Sequence, residues 1–298
     1  MHEPEQRLRP HRISQWIQSR SGVVIFGAIV VCATIWLAFE HRSAAGARRT
    51  FINEQAAVVR LAAGAFEDRL RMPIFQAGIM ARYDLGAIFQ DQGAIGPVVD
   101  HLQTGLASYP DVMAYTLVDA GGELVYAQGV ESEAGHRAIN RSLDWAKQFR
   151  IETDVSPEAQ FVTAPASAGG HASITALFPV RRQDEITGAL IVDIDIGSAA
   201  RRVFGPDTSG ASSDLCLLDR QGGMIYQTDR KDCGATLRKV SRSDFHDLLT
   251  RARGVPAGSA IYSQSGGLLG FLGPRILVCW QTVTLGERSF IVCRTALM

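Results

Sequence analysis

The feature that most constrains this sequence is the run Gly22–Phe39, eighteen residues without a charged side chain. A helix of that length rises about 27 Å, close to the thickness of the hydrocarbon core of a bilayer. A buried core helix is the alternative, but such a helix would carry a polar face, which this run lacks. We therefore predict a transmembrane helix at 22–39, preceded by a short segment, 1–21, with the rest of the 298-residue chain on one side.

The charges give a weak orientation and exclude one class of partner. Lysine plus arginine and aspartate plus glutamate both number 30, so we predict no nucleic-acid partner. The arginines that flank the run slightly favour a cytoplasmic N-terminus by the positive-inside rule. Ala45-Gly46-Ala47 has the form of a signal-peptidase site, but the apolar run is long for a cleaved signal peptide. We therefore predict an uncleaved anchor and leave cleavage as the alternative.

The cysteines of the last third of the chain predict disulfides. The predicted strands Ile276–Val283 and Ser289–Thr295 look like a hairpin, and a turn centred on Gly286 would place two cysteines opposite each other. The remaining two would form the second bridge, as an oxidising compartment allows. Four free thiols are the alternative, and no spacing of cysteines and histidines suggests a metal or cofactor. The predicted pairs are Cys279 with Cys293 and Cys216 with Cys233.

The segment 40–108 predicts helices. Apolar residues recur at three- and four-residue steps from Ala44 to about Arg82, which is typical of an amphipathic helix. No proline lies between the apolar run and Pro73, so this helix continues the anchor and is able to pair with a second copy. A second helix is predicted from about Gly93 to Ser108.

An internal repeat predicts two similar modules. LVDAGGELVY at 117–126 recurs one hundred residues later as LLDRQGGMIY at 217–226, and each copy predicts a hairpin with an Asp-x-x-Gly turn. A helical segment and another hairpin follow each copy. We therefore predict an α+β protein with two antiparallel-sheet modules, 109–198 and 214–298, joined by a connector at 199–213.

This order of elements resembles the double Cache sensory domains, which form extracytoplasmic parts of bacterial chemoreceptors, sensor kinases and cyclic-di-GMP enzymes. The two hairpins above and GALIVDIDI at 188–196 carry the resemblance, which covers about 48–297. The CHASE group, also built on PAS-like sheets, is a near neighbour. The resemblance implies signal transduction, a location in the bacterial inner membrane with the C-terminal part in the periplasm, and a small ligand in the first, membrane-distal module.

The resemblance also implies ligand-binding residues. Amino-acid-binding members carry a pattern like Arg-x-Trp-Tyr and a strand aspartate that takes the ligand's amino group. Leu143-Asp144-Trp145-Ala146 stands at the first pattern without its arginine, and Asp193 matches the aspartate. Packing roles for the aromatic residues and a solvent-facing Asp193 are the alternatives. The predicted ligand-binding residues are Trp145, Asp193, Tyr115, Phe178 and, as substitutes for the missing arginine, Arg150 or Arg181.

The functional prediction is a sensor rather than an enzyme. The sequence contains no H-E-x-x-H, G-x-S-x-G or P-loop motif, although a catalytic site assembled from distant residues remains an alternative. We expect no output domain after the last predicted strand. We therefore predict a homodimer formed through the long helix that binds an amine or other small metabolite and signals through a partner protein. A non-catalytic scaffold with the same fold is the alternative.

Overall fold

A computed structural model describes residues 11–83, 85, 95–148, 160–164, 172–182, 185–205, 215–228, 233–263, 275–286 and 288–298. The chain divides into two compact units, Met1–Glu54 and Gln55–Met298. The second unit contains both sheets, so the predicted α+β class with two antiparallel sheets is confirmed.

A single helix, α1, runs from His11 to Tyr83 and confirms the predicted long helix. No helix in the described part of the chain is long and apolar enough to cross a membrane. The side chains of residues 22–29, within the predicted span, lie outside the described ones. The transmembrane helix therefore stays a prediction.

Beyond Gln55, α1 contributes one face to the core of the second unit. Val59, Ala63, Phe66, Leu70 and Ile74 are buried and recur at three- and four-residue steps, as the sequence pattern predicts for a helix packed along one side. The second predicted helix is α2, Ile95–Ser108, which packs on the first sheet.

The first sheet has the strand order β2-β1-β5-β4-β3, with all neighbours antiparallel. A helix, α3, packs on one of its faces, and α4 follows its last strand. Two elements differ from the sequence prediction, since β3 is an additional strand and α4 begins within the predicted module and runs into the predicted connector. The bounds are β1 Val112–Asp119, β2 Leu124–Gly129, α3 Glu133–Gln148, β3 Gln160–Ala164, β4 Ser173–Arg182, β5 Glu185–Asp195 and α4 Ile196–Phe204.

The second sheet repeats this order as β7-β6-β10-β9-β8. Its additional strand, β8, is rich in small residues, which explains why hydrophobic alternation did not predict it. The bounds are β6 Leu215–Asp219, β7 Met224–Gln227, α5 Cys233–Lys239, α6 Arg242–Gly254, β8 Ala257–Ser263, β9 Arg275–Leu285 and β10 Arg288–Leu297.

The repeated Asp-x-x-Gly turns are confirmed in both modules. Gly122 and Gly222 have φ values of 79° and 91°, a conformation that glycine adopts without steric cost. The Asp119 carboxylate accepts hydrogen bonds from the backbone N–H groups of Gly121 and Glu123, and Asp219 accepts one from Gly223. The first prediction from the repeat, a matched pair of hairpins, therefore holds in atomic detail.

The predicted disulfide between Cys279 and Cys293 is wrong, because Cys279 is a free thiol and the two cysteines are not opposite each other in the hairpin. Leu285 pairs with Arg288, so the hairpin is centred half a residue beyond Gly286, and Cys293 lies opposite Trp280 instead of Cys279. A shift of one residue in register reverses the face that a side chain occupies, so the two thiols lie on opposite faces of the sheet. Cys216 is disulfide-bonded, while the side chain of its predicted partner, Cys233, lies outside the described ones.

A buried carboxylate joins α1 to the first module. Asp111, 4% exposed, immediately precedes β1 and accepts hydrogen bonds from Arg69 of α1, from Ser198 Oγ (2.9 Å) and from Arg202 Nε (3.0 Å) of α4. The three donors come from two helices, so this one side chain fixes α1 and α4 against the start of β1.

Aromatic contacts then join α1 to the second module. The Phe66 ring of α1 lies 5.6 Å from the Phe204 ring of α4 and 6.3 Å from the Phe290 ring of β10, measured between ring centroids. Phe204 also contacts Tyr226 of β7 at 6.1 Å. Offset and edge-to-face pairs of this kind add to the stability that burial of the rings supplies.

Candidate functional site

The two faces of the first sheet have different coverings. Ala114 of β1 and Thr175 of β4 both pair with Asp193 of β5, so these three side chains share one face. Helix α3 covers this face, since its Ala138 packs on Ala114 near one end. The side chains that alternate with these along the strands lie on the other face of the sheet, which packs against α1 and α2.

Asp193 is the central polar group beneath α3. Its side chain is completely buried and accepts a hydrogen bond from Thr175 Oγ1 at 2.9 Å. Arg141 of α3 reaches the same carboxylate, with Nε 3.3 Å and Nη2 3.2 Å from its two oxygens. The Arg141 side chain is 36% exposed, so this ion pair joins a completely buried carboxylate to a guanidinium that partly contacts solvent.

Burial dominates the electrostatics of Asp193. Desolvation raises the pKa of its carboxyl from 3.8 to about 6, against the opposing effects of the Arg141 charge and the Thr175 hydrogen bond. The contacts to Arg141 are long, so the arginine charge offsets only part of the desolvation that raises the Asp193 pKa. Above pH 6 the site therefore holds a buried carboxylate whose charge is incompletely neutralised.

Two hydroxyls lie in the same interface between α3 and the sheet. Ser142 lies one helical turn from both Ala138 and Ala146, and these alanines pack on Ala114 and Val118 of β1. Thr116 lies midway between those two β1 residues and on the same face. Thr116 is fully buried and Ser142 is 1% exposed, and neither hydroxyl has a hydrogen-bond partner within the described residues.

The second module shows what the fold requires at these positions. The repeat aligns Leu117 with Leu217. Leu117 pairs with Leu190 and Leu217 pairs with Val292. Asp193, three residues after Leu190, therefore corresponds to Thr295, three residues after Val292. By the same registers Thr175 corresponds to Val278 and Thr116 to Cys216. The fold therefore does not require Asp193, Thr175 and Thr116 at these positions, because the second sheet has a threonine, a valine and a cysteine there.

Apolar side chains cover the corresponding face of the second sheet. Trp280 stands at the position of Leu177, is 5% exposed and donates a hydrogen bond from Nε1 to the Val255 carbonyl at 3.1 Å. Leu237, Leu248 and other apolar residues of α5 and α6 pack around it. Among the described residues, a buried carboxylate on this face of the sheet therefore occurs in the first module and not in the second.

Comparison with solved structures defines the fold. The sensory domain of the Campylobacter jejuni chemoreceptor Tlp3 aligns with a TM-score of 0.57 and 13% identity, over 84% of this chain and 94% of that one. A domain of a putative sensory box/GGDEF family protein from Vibrio parahaemolyticus gives 0.56 and 12%, over 84% and 97%. The sensor domain of the V. cholerae histidine kinase DctB gives 0.52 and 14%, over 84% and 98%. The chain has a Cache-like sensory-domain fold.

Sequence comparison does not add to this Cache-like assignment. No protein-family model matches the sequence, and no curated protein matches it significantly. The identities with the solved structures are at most 14% among those above, so the likeness concerns the Cache-like fold and not the residues of the site.

The first Cache-like module brings some of the predicted ligand-binding residues together. Asp193 lies on the face that α3 covers, and Trp145 of α3 is half-buried against the cluster formed by Val118, Leu177 and Ile191. Arg181 is half-buried near the end of β4. Arg150 lies outside the described residues.

Tyr115 and Phe178 lie on the opposite face of the first Cache-like sheet. The Tyr115 ring packs against Gly105 of α2, and the Phe178 ring packs against Gly78 of α1. Burial raises the Tyr115 pKa above its usual value, as expected for a phenol enclosed by packing. These two side chains are therefore part of the module's core and do not approach Asp193.

Arg141 is the site residue that sequence reasoning missed. It lies one helical turn before Trp145 on α3, and this spacing of four is the signal that could have identified it. No group of histidine, cysteine, aspartate or glutamate side chains able to hold a metal occurs among the described residues.

Proposed function

We propose that the chain is a sensor that binds a small zwitterionic solute between α3 and the first sheet. In this proposal Asp193 takes the solute's ammonium group and Arg141 takes its carboxylate. The observation that carries the proposal is the buried Asp193–Arg141 pair, at a place where the second module has a threonine. An ion pair whose burial costs desolvation energy, and which the fold does not require, is typical of a functional site.

The charges of the pair select the class of solute. A simple amine that displaced Arg141 from Asp193 would leave the guanidinium without a counter-ion, and a simple carboxylate would leave Asp193 unpaired in the interior. An unpaired buried charge is strongly unfavourable. A zwitterion that enters the pair satisfies both groups, with charge-assisted hydrogen bonds at each end. Arg141 thus supplies the carboxylate-binding arginine that position 143 lacks.

The similar structures support a sensory role at the level of the fold. The Tlp3 ligand-binding domain has been solved in complex with L-valine and with isoleucine, with TM-scores of 0.55 for both. We assign binding rather than catalysis to this chain on the same grounds, because the similar structures are sensory domains.

A thermal-shift screen of the full-length protein tests the proposal. The panel contains amino acids, amines, carboxylates and purines. We expect a zwitterion to raise the melting temperature, because a hundredfold excess over Kd adds about 2.7 kcal/mol to native-state stability. Asp193→Asn and Arg141→Met should each abolish the shift. Arg137→Met, one turn earlier on the same helix and 56% exposed, is the matched control. A hit that survives both site variants, or a screen without a zwitterionic hit, would contradict the proposal.

We further propose that the chain is anchored in the bacterial inner membrane through 22–39, with the sensor in the periplasm. It would form dimers through α1 that pass the signal to a partner protein. The support is the apolar run and an exposed stripe on α1. Met72, Phe75 and Ile79 follow the three- and four-residue spacing of paired helices, Leu61 lies eleven residues before Met72, and the four side chains are 42–76% exposed.

Cysteine cross-linking tests the anchor and the dimer together. In a Cys32→Ser background, Phe75→Cys should be recovered in the membrane fraction of bacterial cells and form a disulfide-linked dimer on mild oxidation. Val255→Cys is the control, since Val255 is 53% exposed on the second module. Recovery of the chain in the soluble fraction would refute the anchor. Equal cross-linking at both positions would refute the α1 interface.

A further inference from the structure

The hydroxyls of Thr116 and Ser142 are not explained by the Asp193–Arg141 pair. Both are buried, and neither forms a hydrogen bond with any described group. A buried hydroxyl without a partner costs roughly 1–3 kcal/mol, and valine or alanine at these positions would avoid that cost with little change in shape. These two groups differ from the unpaired Tyr115 hydroxyl on the other face, because they lie beside the buried Asp193–Arg141 pair, where a bound solute would supply the missing partners.

Their positions relate them to the proposed site. Ser142 directly follows Arg141 on α3, and Thr116 is the next residue after Ala114 on its face of β1, with Ala114 paired to Asp193. One hydroxyl belongs to the helix and the other to the sheet, so the two approach the interface from opposite sides. Both lie along the interface between the apolar contacts at Ala138 and at Ala146, and we call the two hydroxyls the polar layer.

We propose that this polar layer makes the site selective for zwitterions whose substituent carries a hydroxyl or amide group, over zwitterions of equal size with an aliphatic substituent. This inference rests on the proposed function and specifies its solute class. The Thr116 and Ser142 hydroxyls each offer one donor and two acceptor positions, so a hydroxyl or amide satisfies both.

The physical basis of the selectivity is the cost of unpaired groups. A site built to hydrogen-bond a substituent discriminates strongly against an isostere without that group, because the polar groups of the site are then left unpaired. An aliphatic substituent would fill the same volume and leave both hydroxyls unsatisfied. We therefore expect at least a tenfold difference in Kd, which corresponds to about 1.4 kcal/mol.

Calorimetric titration of the full-length protein with isosteric pairs tests the inference. The pairs are L-threonine with L-valine and L-asparagine with L-leucine. We expect the polar member of each pair to bind at least tenfold more tightly. Thr116→Val and Ser142→Ala should reduce that ratio by weakening the polar member alone, and Thr116→Ser, which keeps the hydroxyl, should retain it.

The outcomes separate this inference from the proposed function. Equal binding of both members of each pair, or a preference unchanged in both variants, overturns the polar layer as the selective element and leaves the zwitterion site in place. Absence of binding by all four amino acids, combined with no zwitterionic hit in the thermal-shift screen, overturns both. Melting curves of each variant establish that it is folded.

Discussion

Asp193→Asn is expected to stabilise the unliganded protein above pH 6 while it abolishes solute binding. The native state holds a proton on Asp193 up to about pH 6, whereas an unperturbed carboxyl releases it near 3.8. The native state therefore binds more protons between these values, and stability falls as pH rises through that window. The full difference is about 3 kcal/mol, and asparagine cannot ionise, so the variant escapes this loss.

Denaturant unfolding at pH 4 and pH 8 measures the effect. At pH 8 the free energy of unfolding of Asp193→Asn should exceed that of the wild type by up to about 3 kcal/mol, and at pH 4 the difference should be small. Asp144→Asn removes a charge from an exposed position of α3 and serves as the control. If Asp193→Asn were less stable than the wild type at both pH values, the ion pair would be structural and the site would lose its main support.

Asp111→Asn is expected to destabilise the protein by about 3 kcal/mol at pH 7. The substitution removes the charge that attracts Arg69 and Arg202 and replaces one acceptor oxygen by a donor that faces donors. Removal of one partner from a buried ion pair is strongly destabilising, although the partial exposure of both arginines here limits the cost.

The matched control for Asp111 is an exposed pair of the same residue types. Asp247 binds Arg251 Nε at 2.8 Å, with both side chains about half exposed, and it accepts a hydrogen bond from the Tyr262 hydroxyl at 3.3 Å. The asparagine oxygen can accept the same hydrogen bond, so Asp247→Asn should change stability by less than about 0.5 kcal/mol. Both variants are compared by chemical denaturation. Similar small effects for the two substitutions would show that Asp111 does not hold α1 and α4 to the first module.

Local patterns predicted the architecture well because the signals are local. The Asp-x-x-Gly turns contain both the aspartate that binds the turn amides and the glycine with positive φ, so each hairpin is encoded within ten residues. Helical periodicity likewise identified α1 and α2, because each buries one face.

Features that depend on strand register were not predictable in the same way. A difference of half a residue at the turn after β9 separated Cys279 from Cys293. Tyr115 and Phe178 lie on the face of the sheet opposite to Asp193, because Asp193 pairs with Ala114 and Thr175. The face that each side chain occupies can be assigned only when this strand pairing is known. Arg141 meets Asp193 across 52 residues, a tertiary contact that no local pattern contains.

The position of Phe66 restricts how α1 can move. Its ring contacts Phe204, at the end of the helix that follows the first sheet, and Phe290 in the second sheet. A slide of α1 by one helical turn, about 5.4 Å, would separate Phe66 from both rings at once, whereas a small tilt about this point preserves both contacts. The two ring contacts of Phe66 therefore oppose a slide of that size by the part of α1 beyond Gln55, whereas they are compatible with a small tilt about Phe66.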